Sequence, residues 1–312
     1  MATFKALILA GGVILALAPA AVAADLLPPP PPMEPAPPPP AEFNGWYLRG
    51  DVGVGVNANN PGLGITPDPV ATGIADGSLS TAATNNFFNS TLSSSGFADV
   101  GIGYQVNSWF RADITGEYRG GANLQSLEVV TDKTILPGNV SGQQYADFYR
   151  ANLSSYIAMV NGYVDMGTWY GVTPYLGAGV GVAYNKLAGM TDQGTAYPGN
   201  GNLYPTGGYF GDGNKTNFAW SLMAGLSFNV TQNLKLELGY RYLDYGKFTS
   251  GSSNCLATVG IGVASCGGGS GNVIYSRNTL ASNDFRLGLR WMLGGEEPTY
   301  APPPDMPLVR KY

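Results

Sequence analysis

Eight stretches of the chain alternate bulky apolar side chains with small or charged ones at a period of two. They are WYLRGDVGVGV (46–56), SGFADVGIGYQV (95–106), WFRADITGEYRG (109–120), YRANLSSYIAMVNGY (149–163), TPYLGAGVGVAYNK (173–186), NFAWSLMAGLSFNV (217–230), LKLELGYRYLDYGKF (234–248) and LASNDFRLGLRWML (280–293). Successive side chains of a β-strand point to opposite faces of the pleat, so this period predicts eight strands, each with two chemically distinct sides. Each is long enough to cross a bilayer, for which a tilted strand needs roughly 9–11 residues. Three connections are short: Asn107-Ser108, Asp165-Met166-Gly167 and Thr231-Gln232-Asn233. Four are long and rich in Gly, Asn, Ser and Thr: 57–94, 121–148, 187–216 and 249–279. Long and short alternate strictly, which puts every long loop at one end of an antiparallel up-and-down barrel. The short turns and both termini then share the other end, the asymmetry of a transmembrane barrel with extracellular loops and periplasmic turns.

The volumes of the two faces decide which looks inward. One row is bulky throughout and includes Trp46, Leu48, Val52, Val54, Ile102, Ile114, Leu176, Phe218, Leu222, Leu238, Phe285, Leu287 and Trp291. The other mixes glycine with charge: Arg49, Asp51, Asp99, Arg111, Asp113, Glu117, Arg119, Lys235, Glu237, Arg241, Asp284, Arg286 and Arg290, interspersed with Gly53, Gly55, Gly101, Gly103, Gly177, Gly179, Gly181, Gly239 and Gly288. An eight-stranded barrel has an interior only just wide enough for side chains to fill. The bulky row does not fit there, whereas glycines and mutually neutralising charges do. With Arg150 included, eight basic residues face six acidic ones, and charges removed from bulk water persist when paired. A soluble barrel with the charges outward is the competing arrangement. Aromatic residues near the strand ends (Trp46, Tyr104, Trp109, Tyr118, Trp169, Tyr184, Tyr242 and Trp291) argue against it, because rings of this kind mark the two membrane interfaces.

Composition adds a destination. Residues 1–23 read as a secretory signal: Lys5, the apolar run ALILAGGVILALA and the small-residue site Ala21-Val22-Ala23. No later apolar run approaches the 18 or so residues of a spanning helix. Residues 24–43 form a proline-rich periplasmic linker, for which an extended polyproline helix is expected; some 15 of its residues would reach on the order of 45 Å. The barrel is then assigned to 44–294, and 295–312 form a second proline-bearing periplasmic tail. Of 16 Lys and Arg against 21 Asp and Glu, the signal removes Lys5, leaving 15 against 21 and a charge of −6. That acidity disfavours nucleic acid, which requires a basic surface.

Three segments carry a resemblance: NGYVDMGTWYGVTPYLGAGVGVAYNK (161–186), LELGYRYLDYGKF (236–248) and DFRLGLRWML (284–293). The chain resembles, over most of residues 43–293, the small alphaproteobacterial outer-membrane β-barrel proteins, a porin-like family related to the OmpA-type barrel. The resemblance implies outer-membrane lipid and lipopolysaccharide as surroundings. It also implies recognition by the outer-membrane assembly machinery, with Arg286, Gly288, Trp291 and Leu293 matching the polar, glycine, aromatic, hydrophobic spacing of the family's last strand. Here 19 residues follow Leu293, whereas the family pattern ends the chain on an aromatic residue, so the signal would be read internally. Some barrels of this type are attached to peptidoglycan through an N-terminal Ala-Asp, which makes Ala24 and Asp25 a candidate attachment point.

Chemistry enters mainly by exclusion. The chain has no histidine, which removes Ser-His and Asp-His mechanisms and with them the readings as a small barrel protease, phospholipase or acyl transferase. Zinc prefers Cys and His ligands, and GDGN (211–214) lacks the alternating carboxylates of a calcium loop. The Gly-x-Gly repeats open no helix and are not phosphate cradles. No cofactor, metal or catalytic activity is expected. Cys255 and Cys266 lie in the fourth long loop of an exported chain, and a disulfide between them would stabilise that loop by roughly 3 kcal/mol. The expectation is a structural barrel that supports the envelope and presents four surface loops. A narrow channel, or an adhesin or receptor for a host surface or phage, is the alternative.

Overall fold

A computed structural model describes residues 45–71, 80–132, 143–197, 203–256 and 271–293. The signal, the linker with Ala24 and Asp25, the C-terminal tail and Cys266 lie outside these residues. The chain forms β1 (Gly45–Asn57), β2 (Leu63–Thr66), β3 (Thr84–Leu92), β4 (Ser95–Gln105), β5 (Phe110–Asp132), β6 (Gln143–Asp165) and β7 (Val172–Tyr197). There follow β8 (Tyr204–Phe210), β9 (Gly213–Asn229), β10 (Leu234–Gly246), β11 (Ser253–Cys255), β12 (Val273–Ser276) and β13 (Leu280–Met292). Eight of them close a ring of antiparallel ladders, β1-β4-β5-β6-β7-β9-β10-β13 and back to β1. These are the eight alternating segments of the sequence, in order.

The orientation follows the volume argument. Trp46, Val54, Val100, Ile114, Phe218, Leu222, Phe285 and Trp291 are exposed on the outer surface, Val100 at 71%. Arg111, Asp284 and Arg290 are fully buried inside. Aromatic pairs stand along the outer surface, among them Trp46 with Tyr104 (centroids 5.3 Å apart), Tyr118 with Tyr156 (5.1 Å) and Trp220 with Tyr242 (5.5 Å). The lumen glycines are where the interior has no space. A Cβ on Gly103 would collide with the ring of Tyr47, and one on Gly288 with the carboxylate of Asp51.

The strands on one side are far longer than the alternating segments suggest. β5 and β6 run 23 residues and β7 runs 26. β3 continues β4 along the upper half of β5, and β8 continues β9 along the upper half of β7. Much of 57–94, 121–148 and 187–216, expected as loop, is therefore strand. A 23-residue strand is about 75 Å long and rises roughly 55 Å at a barrel tilt of about 40°, about twice the height of the apolar band. A five-stranded wall thus stands above the membrane on one side, while β1, β10 and β13, each of 13 residues, stop near its surface. The segments joining these short strands supply β2 and β12, which pair with each other in a separate two-stranded sheet. They also supply β11, which pairs with β8.

The orientation predicts two outcomes. Val100→Arg, which places a charge in hydrocarbon, lowers the stability of the vesicle-inserted protein by about 2–4 kcal/mol, read as an earlier urea midpoint. Gly288→Val drives a side chain into Asp51 and reduces the fraction of protein that migrates as the compact, heat-shifted species on a detergent gel.

Candidate functional site: a filled lumen beneath a raised wall

The lumen-facing rows of the eight ring strands supply a stacked polar network. At the periplasmic end, Arg290 Nε lies 2.9 Å from Glu237 Oε1, and Arg111 Nε donates to Asp165 Oδ1 at 3.2 Å. The Arg111 guanidinium also lies 4.1 Å from the ring centroid of Tyr163 and 4.9 Å from that of Tyr175. Its Nη1 has no hydrogen-bond acceptor, and the two ring faces provide electrostatic contact instead.

In the middle, Arg49 makes two parallel bonds to Asp51 (2.8 and 2.9 Å) and a third to Asp113 (2.8 Å). Asp113 also accepts from Tyr47 Oη and Asn161 Nδ2. Arg286 reaches Asp99 at 2.8 Å and Asp51 at 3.1 Å. Above this level Arg119 and Arg241 share two carboxylates: Asp284, 2.6 Å from each, and Glu117, 3.1 Å from Arg119 and 2.6 Å from Arg241. The ring of Phe97 lies against both guanidiniums, at 4.9 and 5.1 Å.

Above the ions the interior turns apolar. Leu124, Leu153, Ile157, Leu187, Leu243, Tyr245 and Phe248 form one buried cluster with Leu63 and Ile65 of β2 and Ile274 of β12. The small β2–β12 sheet therefore contributes its apolar side chains to the filling of the barrel mouth. Ionic below and greasy above, the described interior is filled along its length.

Two assignments made from charge alone change. Arg150 is exposed on the outer side of β6, its guanidinium 5.2 Å from the ring of Phe148, and is not a lumen residue. The inward row of β6 passes through Asn161, Ile157, Leu153 and Tyr149, so an even-numbered residue points out. There, in the part of the strand that clears the membrane, an outward charge meets water. Lys235 does face the lumen, beside Arg290, but it is half-buried at the rim and pairs with no carboxylate among the described residues. Asp165, expected in a turn, ends β6 and joins the network through Arg111. Eight basic residues less Arg150, and six acidic ones plus Asp165, give seven of each, so the row balances. The supporting Tyr47, Asn161 and Tyr163 were also missed; they keep the inward parity of their strands, and that parity was the available signal. Of the last-strand residues, Arg286 and Gly288 face the lumen while Trp291 and Leu293 face outward. Cys255 ends β11.

A closed, antiparallel, eight-stranded ring with an apolar exterior and an ion-paired interior defines an integral membrane barrel. Residues 15–292 match the outer membrane protein beta-barrel domain, and the chain belongs to that family of the outer membrane. An uncharacterized protein of Brucella abortus is 33% identical over 211 residues, covering 64% of this chain and 67% of its own. The outer membrane protein PagN of Salmonella typhimurium is 34% identical over 139 residues (43% of this chain, 47% of that one). A Rickettsia conorii protein whose name proposes adhesion is 32% identical over 173 residues (52% and 59%). Among solved structures, OprG of Pseudomonas aeruginosa is 12% identical with a TM-score of 0.38, over 81% of this chain and 98% of that one.

The network predicts unequal costs. Asp284→Ala leaves the guanidiniums of Arg119 and Arg241 with Glu117 as their one remaining shared carboxylate and destabilises the barrel by about 3–5 kcal/mol. Lys235→Met, which removes a rim cation with no partner, costs less than about 1 kcal/mol. Urea titrations of the folded band in lipid vesicles compare the two.

Proposed function

We propose that the protein is a non-enzymatic, non-conducting barrel whose work is to stabilise the envelope and to present the raised wall at the cell surface. The filled interior carries this reading. Fully buried, mutually bonded arginines and carboxylates stand in series with an apolar cluster, and a solute path would require both to be dismantled. Eight strands leave no aqueous lumen of the kind found in wider porins. The absence of histidine and the pairing of the lumen carboxylates support the non-enzymatic part.

A second reading, adhesion to a host surface or phage, is favoured by a particular observation. At the β8–β11 edge of the wall, Tyr209 and Leu256 are exposed although they lie above the lipid-facing band, and apolar side chains grouped at a water-facing surface are the kind of feature a contact site uses. The names of the Rickettsia relatives agree with this reading. Lipopolysaccharide around the barrel, insertion guided by Arg286, Gly288, Trp291 and Leu293, attachment of Ala24-Asp25 to peptidoglycan and a Cys255–Cys266 bond in the fourth loop complete the proposal. So does export by a cleaved signal over residues 1–23.

Reconstituted into planar bilayers, the protein gives no large stable conductance steps; such steps would replace this reading with a channel. Removing residues 187–210 from the wall lowers binding of whole cells to host-cell monolayers under the adhesin reading and leaves it unchanged under the purely structural one.

A further inference from the structure

The inner face of the raised wall holds a second group of buried acids, unlike the lumen network in one respect: among the described residues it has no cations. Glu128 of β5 stands directly opposite Asp147 of β6, and Asp192 of β7 stands opposite Tyr149, the next inward residue of β6. The carboxylates are enclosed, at 0%, 1% and 2% exposure respectively. Glycines make the room. Gly194 faces Asp147 across the β6–β7 ladder, where a Cβ would collide with its carboxylate, and Gly208 faces Asp192.

Hydrogen bonding satisfies the group only in part. Tyr149 Oη donates to Glu128 Oε2, and Thr206 Oγ1 of β8 donates to Asp147 Oδ1 at 2.9 Å. Glu128 Oε1 and both oxygens of Asp192 have no partner. Below the acids the wall is aromatic, with Tyr149 packed between Phe87 and Phe210.

Among the described residues no cation stands against these three acids. β3 contributes Asn85, β6 adds Tyr145, Asp132 lies farther along the buried row of β5, and Asp68 adds a negative charge that raises Glu128. Arg150, the cation nearest in sequence, projects from the opposite side of β6. No lysine or arginine pairs with the three acids, and no acidic group able to hold a metal ion occurs, among the described residues.

We propose that Glu128, Asp147 and Asp192 form a proton-controlled latch in the wall, closed when the surroundings are acidic and loosened as they become neutral. Like charges opposite one another across a ladder repel, and enclosure disfavours the charged form further. Protonation removes both costs and turns each acid into a donor for a neighbour's unpaired oxygen. Burial accordingly pushes Glu128 up to about 7, and burial together with mutual repulsion pushes Asp192 up to about 8; burial pushes Asp147 up to about 6. Because these values lie above those of the unfolded chain, the stability the acids contribute is fully present below about pH 4 and is lost as pH rises through the range of about 6 to 8. The inference goes beyond the proposed function and does not depend on whether the barrel conducts.

The test is hydrogen exchange on the full-length protein in lipid vesicles between pH 5 and 8, expressed as protection relative to the free peptide rate. Protection in 124–132, 143–151 and 190–196 is expected to fall with rising pH, by up to roughly tenfold per pH unit for each proton released. The membrane-spanning part of β13 stays constant. Asp192→Asn, a neutral shape match, flattens the profile and keeps the wall protected at pH 8. Wild-type protection that does not change with pH would overturn the proposal without reference to any variant. Restoration of protection at pH 8 by added calcium would also overturn it, by making a metal ion rather than a proton the species that closes the wall.

Discussion

Hydrocarbon offers no partner for a peptide N–H or C=O, and that constraint shapes the rest of the molecule. A sheet that enters a bilayer must close on itself so that no edge is left unpaired, and the eight ladders running from β1 round to β13 do so. Closure at eight strands fixes the diameter, and the diameter fixes the sequence. Only glycine fits where Tyr47 or Asp51 already occupies the bore. At the level of the ion pairs most of the bulky aliphatic side chains are sent outward to lipid.

The interior has to be polar enough to orient the alternation and self-satisfied enough to be buried. Shared pairing meets both demands. Asp284 serves two arginines, Arg49 serves Asp51 and Asp113, and the rings of Tyr163, Tyr175 and Phe97 cover guanidinium faces. Such a network contributes specificity of register as well as energy, since a one-residue slip of any strand would carry its charge into lipid. Above the membrane the outer side of the wall meets water instead. There the same strands carry Asn123, Gln125, Asn152 and Thr191 outward while their inner row stays buried.

That change of solvent explains how much of the protein could be read from its sequence. Within the bilayer the contrast between bulky and small or charged rows is extreme, and the strands, their order, their orientation and the inward placement of side chains such as Arg49, Asp113 and Asp284 follow from it. Beyond residue 120 the outward row becomes polar and a bulge at Gly120-Gly121 flips the parity, so the segment reads as loop although Ala122, Leu124 and Val130 resume a buried period of two on the even positions. The buried acids of the wall were hidden for this reason. The charge of Arg150 suggests the lumen while its even parity on β6 points outward, and Asp165 reads as turn although β6 extends through it. The pairing of β2 with β12 joins residues some 200 positions apart in sequence, and short four-residue strands carry too little periodicity to announce it.

The unequal height of the cylinder has a consequence of its own. Five strands form a parapet and three form a low sill, so the molecule has a front and a back when seen from outside the cell. A large body descending on the surface can touch the crest from any bearing, but it can reach the flank above the sill only from that side. Rotation of the barrel in the plane of the membrane, or crowding by neighbours against the sill, would then regulate access to that flank without altering a single bond within it.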